Sequence, residues 1–268
     1  MNAAPTSTPI HVHERGAADD PLAVLIHSTG INGAEMVDRF GLAVPGYHVL
    51  APDRTNYGES RRSSPGGCGR SNGHVPEVAM IEDDAAEIAT ILGRGAHLVG
   101  YSYGGIVALT IAARRPRLVR SLILLEPPAF QLLPHDPDAV STSTRISSAI
   151  DTVYDDPSAY FAAYMSSAFG DTFRVPLEFI PTERKVASMR EQVAWDPELN
   201  LDAIADAHIP TLVVCGDWDP GFVAVSRHLA TALSGHVIEY AESSHFFDER
   251  WNDIADELAR FWRAVDEQ

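Results

Sequence analysis

Short apolar runs alternate with helical patterns along most of this chain of 268 residues. The runs are apolar at successive positions, which is typical of strands that are buried on both faces. They cover residues 22–27, 47–51, 96–101, 121–126, 210–215 and 236–240. Helical patterns lie between or after them, at 77–93, 103–115, 222–234 and 248–265. This order predicts an α/β fold, with a mostly parallel, twisted sheet and helices on both faces.

One long stretch breaks the alternation. Residues 128–205 have a helical tendency, are rich in Tyr, Phe and Met, and carry prolines that punctuate the helices. We interpret this stretch as a helical cap inserted after the strand at 121–126. Residues 1–127 and 206–268 then form the α/β core. A second interruption, the polar Gly/Ser-rich stretch at 60–76, is predicted to be a loop.

The charge of the chain narrows the range of partners. The formal net charge is -17, so nucleic acids and anionic lipid surfaces would be repelled. We therefore expect a neutral or cationic small molecule as the partner, with no nucleic acid and no membrane. No apolar run approaches the roughly 20 residues that span a bilayer. Because the N-terminus also lacks a basic segment followed by an apolar one, a cytoplasmic location is predicted.

The sequence pattern predicts no metal site. Cys68 and Cys215 do not occur in a CxxC or similar metal-binding spacing, and we expect reduced thiols. His11 and His13 alternate along one edge of an N-terminal strand, but no third ligand of suitable spacing accompanies them.

Ser102 follows the strand at 96–101 and directly precedes a predicted helix. Such a junction forces its central residue into strained backbone angles, and side chains two positions away would collide. Gly100 and Gly104 relieve this crowding, and Gly105 lets the helix pack close to the sheet. The hydroxyl then projects above the carboxyl ends of the strands, where ligands bind in open α/β sheets. The alternative is an ordinary glycine-rich turn with a surface serine.

A serine hydroxyl becomes a good nucleophile when a base removes its proton, and a third group must orient that base. His245 is the candidate base, because it follows the last predicted strand and therefore lies at the same edge of the sheet. Two carboxylates are the main candidates for the orienting group, and Asp217 is a third possibility that is better placed to stabilise the turn. Asp219 follows the strand at 210–215, and Glu126 ends the strand next to the one that leads to Ser102.

Five segments, in this order along the chain, resemble the motifs of the α/β-hydrolase fold family. They are HSTG at 27–30, PDRTNYGES at 52–60, GYSYGG at 100–105, GDWDP at 216–220 and SSHFF at 243–247. The resemblance extends over nearly the whole chain, and it implies the α/β-hydrolase fold with the strand at 121–126 as its sixth strand. It also implies a serine hydrolase without metal or organic cofactor, in which Ser102 is the nucleophile, His245 the base and Asp219 the usual acid.

The first of these segments departs from the family pattern. Most members have a His-Gly pair there, whereas Ser28 follows His27 in this chain. By the resemblance, the backbone N–H groups of Thr29 and Tyr103 are the donors of the oxyanion hole. Such donors stabilise the charge that develops on the substrate oxygen.

The acid is the second point of departure. Some members, including fungal-type resorcylic lactone hydrolases, resemble this chain in carrying a glutamate after the sixth strand as the triad acid, and Glu126 stands at that position. An acidic residue is also common there without a catalytic role, and the GxxDP loop that contains Asp219 is intact. We therefore favour Asp219 and keep Glu126 as the alternative acid.

The residues that we expect to contact the substrate lie in the first loop, in the cap, or beside the proposed acid and base. They are Ser28, Tyr160, Tyr164, Trp218 and Phe246. The alternative for the cap tyrosines is packing in the core of the cap. An aromatic lining predicts a small, uncharged and largely apolar ester or lactone, cleaved through an acyl-enzyme intermediate.

Other classes of function stay open at this point. A non-catalytic, receptor-like homologue would keep the pocket as a binding site for a small ligand. The same fold also hosts amide, thioester and epoxide hydrolysis, lyase reactions and cofactor-free oxygenation.

Overall fold

A computed structural model describes residues 10–60, 78–152, 155–170 and 180–268. Within these residues the chain forms a seven-stranded sheet in the order β1-β3-β2-β4-β5-β6-β7. The strands are β1 Val12–Arg15, β2 Leu22–Ile26, β3 His48–Pro52, β4 Ala96–Tyr101, β5 Val119–Leu125, β6 Thr211–Gly216 and β7 His236–Tyr240. β1 pairs antiparallel with β3 and the other neighbours are parallel, which confirms the predicted mostly parallel sheet.

Helices cover both faces of the sheet. Those in the described part of the chain are α1 Ile81–Ala89, α2 Tyr103–Arg114, α3 Pro137–Ile150, α4 Pro157–Phe169, α5 Thr182–Ser188, α6 Leu201–Asp206, α7 Pro220–Ala232 and α8 Trp251–Asp266. Among these residues, no helix combines the length and the apolar character that crossing a bilayer requires.

The predicted bounds agree with the observed ones to within a few residues. The predicted strands at 96–101 and 236–240 coincide with β4 and β7. The helix predicted at 222–234 begins two residues earlier, because Asp219 caps it and proline is favoured at the first helical position. The loop predicted at 60–76 lies outside the described residues, apart from Ser60.

Both faces of the central strands are buried. On β5, Leu122 and Leu124 belong to the hydrophobic core on one face, and Ile123 and Leu125 belong to the core on the other. This alternation follows from the strand period of two, because successive side chains point to opposite faces. Helices α1, α2, α4 and α7 contribute to the first core, and α8 contributes to the second.

Helices α3 to α6 lie between β5 and β6, within the stretch predicted as a cap. α3 packs against α4 and α7, α5 packs against α4, and α6 packs against α2 of the core. The predicted boundary after residue 205 therefore falls inside α6, which touches the core. The division into a core of 1–127 and 206–268 and a cap of 128–205 stays a prediction.

His97 is a buried ionisable residue on β4, beneath α8. One ring nitrogen lies 2.8 Å from Ser121 Oγ and the other lies 3.2 Å from Asp266 Oδ1. The ring also stacks on Trp262, with 5.4 Å between centroids. Burial lowers the pKa of His97 to about 4, against the opposing effect of the Asp266 carboxylate. The ring is therefore uncharged at neutral pH.

We expect the free energy of unfolding to fall as the pH drops from about 6.5 towards about 4. The pKa of His97 is lower in the folded chain than in the unfolded chain, so the unfolded chain binds the proton first and is stabilised by it. Above about pH 6.5, His97 makes its full contribution to the free energy of unfolding. Below that pH, this contribution decreases by up to about 1.4 kcal/mol per pH unit. Urea denaturation across this range measures the loss. His97→Asn should give a shallower slope than the wild type, with exposed His236→Asn as the control, and equal slopes for all three proteins would contradict the prediction.

Candidate active site

Ser102 connects β4 to α2 without an intervening loop. Its φ of 51° and ψ of -119° lie in a region that residues other than glycine rarely adopt. A Cβ atom at position 100 would lie 2.4 Å from the Gly104 carbonyl oxygen, and one at position 104 would lie 2.2 Å from the Ile26 carbonyl oxygen. These approaches agree with the predicted crowding, and they explain why glycine occupies both positions.

The Ser102 hydroxyl, the His245 ring and the Glu126 carboxylate form a continuous hydrogen-bonded chain. Ser102 Oγ lies 3.1 Å from His245 Nε2, and His245 Nδ1 lies 3.1 Å from Glu126 Oε2. All three residues are buried. An ionised carboxylate only accepts hydrogen bonds, so Nδ1 carries the proton and donates to Glu126. Nε2 is then left as the acceptor for the serine hydroxyl, which is the tautomer that a general base needs.

Further donors hold the Glu126 carboxylate in place. Oε1 accepts from the Gly216 N–H at 2.6 Å, and Oε2 accepts from Trp218 Nε1 at 3.0 Å. Because the carboxylate is fully buried, these bonds replace the solvation that burial removes. The indole donates to the same oxygen that faces His245, so Trp218 also positions the partner of the imidazole.

Asp219 has a different environment: contrary to the expectation that it orients His245, its carboxylate hydrogen-bonds to other groups in the structure. Its Oδ1 accepts from the backbone N–H groups of Gly221 and Phe222 at 2.9 and 3.2 Å, and from Thr142 Oγ1 at 2.8 Å. Its Oδ2 accepts from Arg145 Nη2 at 2.5 Å. The carboxylate therefore caps α7 and pairs with a helix of the cap instead of orienting His245.

Strand order explains why Glu126 reaches the histidine. β5 lies between β4 and β6, so the residue after β5 stands between the serine turn and the loop after β6. The backbone φ of 51° at Glu126 turns the chain at this point. The signal against Asp219 was present in the sequence, because an Asp-Pro pair before a helical pattern is typical of a helix N-terminus.

Aromatic rings surround His245. Within the described part of the chain, the nearest ring is that of Phe169 of α4, whose centroid lies 4.5 Å from that of the imidazole and whose plane is tilted by 25°. Further rings within contact distance belong to Tyr101, Trp218, Phe222 and Phe246. Such rings exclude water from the hydrogen-bonded chain and make the surface next to it apolar.

The predicted substrate contacts divide into two groups. Trp218 and Phe246 adjoin His245 directly, and Tyr164 adjoins Phe169 at 6.2 Å between centroids. Tyr160 instead belongs to the hydrophobic core that also contains Leu122 and Leu124. This position agrees with the alternative that the cap tyrosines pack in a core. Ser28 is also buried, and its hydroxyl donates to the Thr29 carbonyl at 3.2 Å.

A buried ionic network lies beside the HSTG loop. Arg54 is fully buried and donates from Nη2 to Glu191 Oε1 at 2.5 Å and from Nε to the His27 carbonyl at 3.0 Å. Its Nη1 lies 3.4 Å from Asp84 Oδ2. Glu191 Oε2 accepts from Thr29 Oγ1 at 2.6 Å. Glu191, which lies in the predicted cap, thus connects the guanidinium of Arg54 to the hydroxyl of Thr29, the predicted oxyanion-hole residue.

His27 connects the same loop to the segment at 52–60. Burial, reinforced by the charge of Arg54, lowers the pKa of His27 well below its usual value, so the ring is neutral. Its Nδ1 donates to the Ser28 carbonyl at 2.8 Å, and its Nε2 accepts from the Arg54 N–H at 2.9 Å. Sequence reasoning did not single out Arg54 or Glu191, because a pair 137 positions apart leaves no local pattern.

Comparison with known proteins agrees with this geometry at the level of the family. The model of the Alpha/beta hydrolase family matches residues 23–257. Lipase 1 of Psychrobacter immobilis is 27% identical over 222 residues, which are 78% of this chain and 65% of the lipase. The protein named "Putative carbamate hydrolase RutD" of Pseudomonas syringae pv. syringae is 25% identical over 243 residues, which cover 84% of this chain and 86% of that protein.

A solved structure resembles nearly the whole chain. MenH from S. aureus superposes with a TM-score of 0.66 at 16% sequence identity, covering 96% of this chain and 99% of MenH. At this identity the likeness supports the fold alone.

We expect Glu191→Ala to lower the free energy of unfolding by about 3–5 kcal/mol, because removal of one partner leaves a buried guanidinium undercompensated. Glu82→Ala is the matched control, since its pair with Arg114 is exposed on both sides and should contribute at most about 1 kcal/mol. Urea denaturation followed by circular dichroism compares the two variants. If they lose the same amount, the Arg54–Glu191 pair has no special role in stability.

Proposed function

Because this chain belongs to the alpha/beta hydrolase family and is an enzyme of the hydrolase class, we propose that it cleaves carboxylic esters with Ser102 as nucleophile, His245 as base and Glu126 as acid. The observation that carries the proposal is the buried hydrogen-bonded chain from the serine hydroxyl through the imidazole to the carboxylate. A nucleophile, a base and an orienting group in this order are what acyl transfer through a serine requires.

In the proposed reaction, Ser102 Oγ attacks the ester carbonyl carbon while its proton passes to His245 Nε2. Glu126 stabilises the imidazolium that forms, without taking its proton. The tetrahedral intermediate collapses when Nε2 gives the proton to the leaving alcohol, and an acyl-enzyme remains. Water then attacks the acyl carbon and gives a proton to Nε2, and return of that proton to Ser102 Oγ releases the acid.

The negative oxygen of the intermediate requires donors beside Ser102. We assign them to the backbone N–H groups of Tyr103 and Thr29. Tyr103 is the first residue of α2, whose N-terminal dipole favours an anion. Thr29 is held through its hydroxyl by Glu191, which supports its assignment because a preorganised donor needs no reorganisation during the reaction.

The substrate class follows from the surface beside the imidazole. Phe169, Trp218 and Phe246 present apolar rings there, and Tyr164 extends the same surface into the cap. An uncharged, largely apolar acyl group or lactone fits this lining better than a charged one. The relative named as a lipase supports an ester, and the relative named as a carbamate hydrolase makes carbamates a second group to test. A cytoplasmic location stays a prediction from the sequence.

Labelling with a fluorophosphonate probe tests whether Ser102 is an activated nucleophile. We expect the wild type to be labelled at this residue and Ser102→Ala to be unlabelled, because the probe reacts with a serine whose proton a base removes. A panel of p-nitrophenyl esters of increasing acyl length, lactones, amides and carbamates then identifies the bond that is cleaved. A protein that is neither labelled nor active on the panel but binds apolar esters would be a receptor-like homologue instead.

The assignment of the acid has its own test. Glu126→Gln should lower kcat by roughly 10²–10⁴-fold, because a neutral amide neither stabilises the imidazolium nor selects its tautomer. Asp219→Asn should leave kcat near that of the wild type, since asparagine also caps a helix N-terminus. Steady-state kinetics on the best ester of the panel compares them. The reverse order of the two losses would return the role to Asp219.

A further inference from the structure

We propose that His11, His13 and Asp53 form a binding site for a divalent transition-metal ion of the zinc class, at the edge of the sheet. Each of the three side chains offers a ligand atom, and these atoms all lie within 4.8 Å of one another. Imidazole nitrogens and a carboxylate oxygen are ligands that zinc and its neighbours in the first transition series prefer. This site is separate from the proposed catalytic chain and shares no residue with it.

The strand geometry brings the two histidines together. His11 directly precedes β1 and His13 lies within it, two positions along extended backbone, so both side chains project to the same side. Their ring centroids are 4.7 Å apart, with the rings edge to face. Two imidazoles two residues apart on a strand can therefore bind one ion with little change of backbone.

Asp53 supplies the third ligand, which the sequence pattern alone did not reveal. β1 pairs antiparallel with β3, and the Asp53 N–H donates to the His11 carbonyl at 2.9 Å, so the carboxylate lies opposite the histidines. Its Oδ1 is 3.1 Å from His13 Nε2. Ligand atoms of a tetrahedral zinc ion are about 3.3 Å apart, so this pair already has the required separation.

The surrounding backbone holds this carboxylate in a fixed orientation. Gly33 N–H donates to Oδ1 at 2.9 Å, and Glu59 N–H donates to Oδ2 at 2.9 Å. Asp53 is fully buried, whereas the two histidines are partly exposed. Outer hydrogen bonds of this kind orient metal ligands, and a carboxylate with two such bonds keeps lone pairs for an ion.

Water or Glu59 would supply the fourth ligand of the ion. Glu59 Oε2 lies 3.6 Å from His11 Nδ1, and its side chain is mostly exposed. The large negative charge of the chain also favours uptake of a cation. An ion here would tie the N-terminal strand to the loop after β3, and through Asp53 to Gly33 next to the HSTG loop.

Calorimetric titration with ZnCl₂ tests the site on full-length protein that has been treated with a chelator and dialysed. We expect one Zn²⁺ per chain and a rise of Tm on binding, because a ligand that binds only the folded state stabilises it. His11→Ala and His13→Gln should each weaken Zn²⁺ binding by at least about 100-fold. Glutamine at position 13 still reaches Asp53, and unchanged Tm values without metal show that the variants fold.

Two controls separate this site from general binding of zinc by histidines. His236→Ala removes an exposed histidine on β7 and should leave the affinity unchanged. Co²⁺ in place of Zn²⁺ should give the visible absorption of a four-coordinate site in the wild type and lose it in His11→Ala. The proposal is overturned if stoichiometric binding is absent from the wild type, persists in both site variants, or falls equally in His236→Ala. None of these measurements depends on turnover, so their outcome is independent of the proposed ester hydrolysis.

Discussion

The hydrogen bond between His245 and Glu126 is the interaction on which the arrangement of the site depends. It selects the imidazole tautomer that leaves Nε2 free to accept from Ser102. The bond is possible because the buried carboxylate is also held by the Gly216 N–H and the Trp218 indole. These two donors replace the hydrogen bonds to water that the carboxylate loses on burial. The fold thereby holds the Glu126 carboxylate as a hydrogen-bond acceptor beside His245 and the aromatic rings that surround it.

The position of Glu126 leaves Asp219 available for a structural task. Asp219 caps α7 and accepts from Thr142 and Arg145 on α3, and the same Arg145 donates to the Ser167 and Ala168 carbonyls near the end of α4. A residue at the position of the usual family acid thus joins two helices of the predicted cap to the core. α4 also carries Phe169, whose ring stacks on that of His245.

A second connection between cap and core runs through buried charges. Arg54 and Glu191 pair next to the HSTG loop, and Glu191 extends the contact to the Thr29 hydroxyl. Buried charges are unfavourable unless they are paired and hydrogen-bonded. Asp84 and the His27 carbonyl also bind the guanidinium, and these contacts add to the pairing with Glu191. Tyr57 and Tyr103 lie against the cation and complete its surroundings. The predicted oxyanion loop is therefore shaped by residues from both parts of the chain.

The amino-acid sequence by itself determined the order of strands and helices along the chain, the turn at Ser102, and the place of His245 at the carboxyl edge of the sheet. These features depend on local periodicity and on glycine spacing, which neighbouring residues encode. Tertiary structure placed the Glu126 carboxylate beside His245, joined Arg54 to Glu191, and brought Asp53 to the histidines of β1. The physical reason is that each of these pairings is a contact across the sheet or between cap and core. Such contacts depend on the order of the strands within the sheet and on competition among hydrogen-bond donors. Neither of these produces a periodic pattern in the sequence.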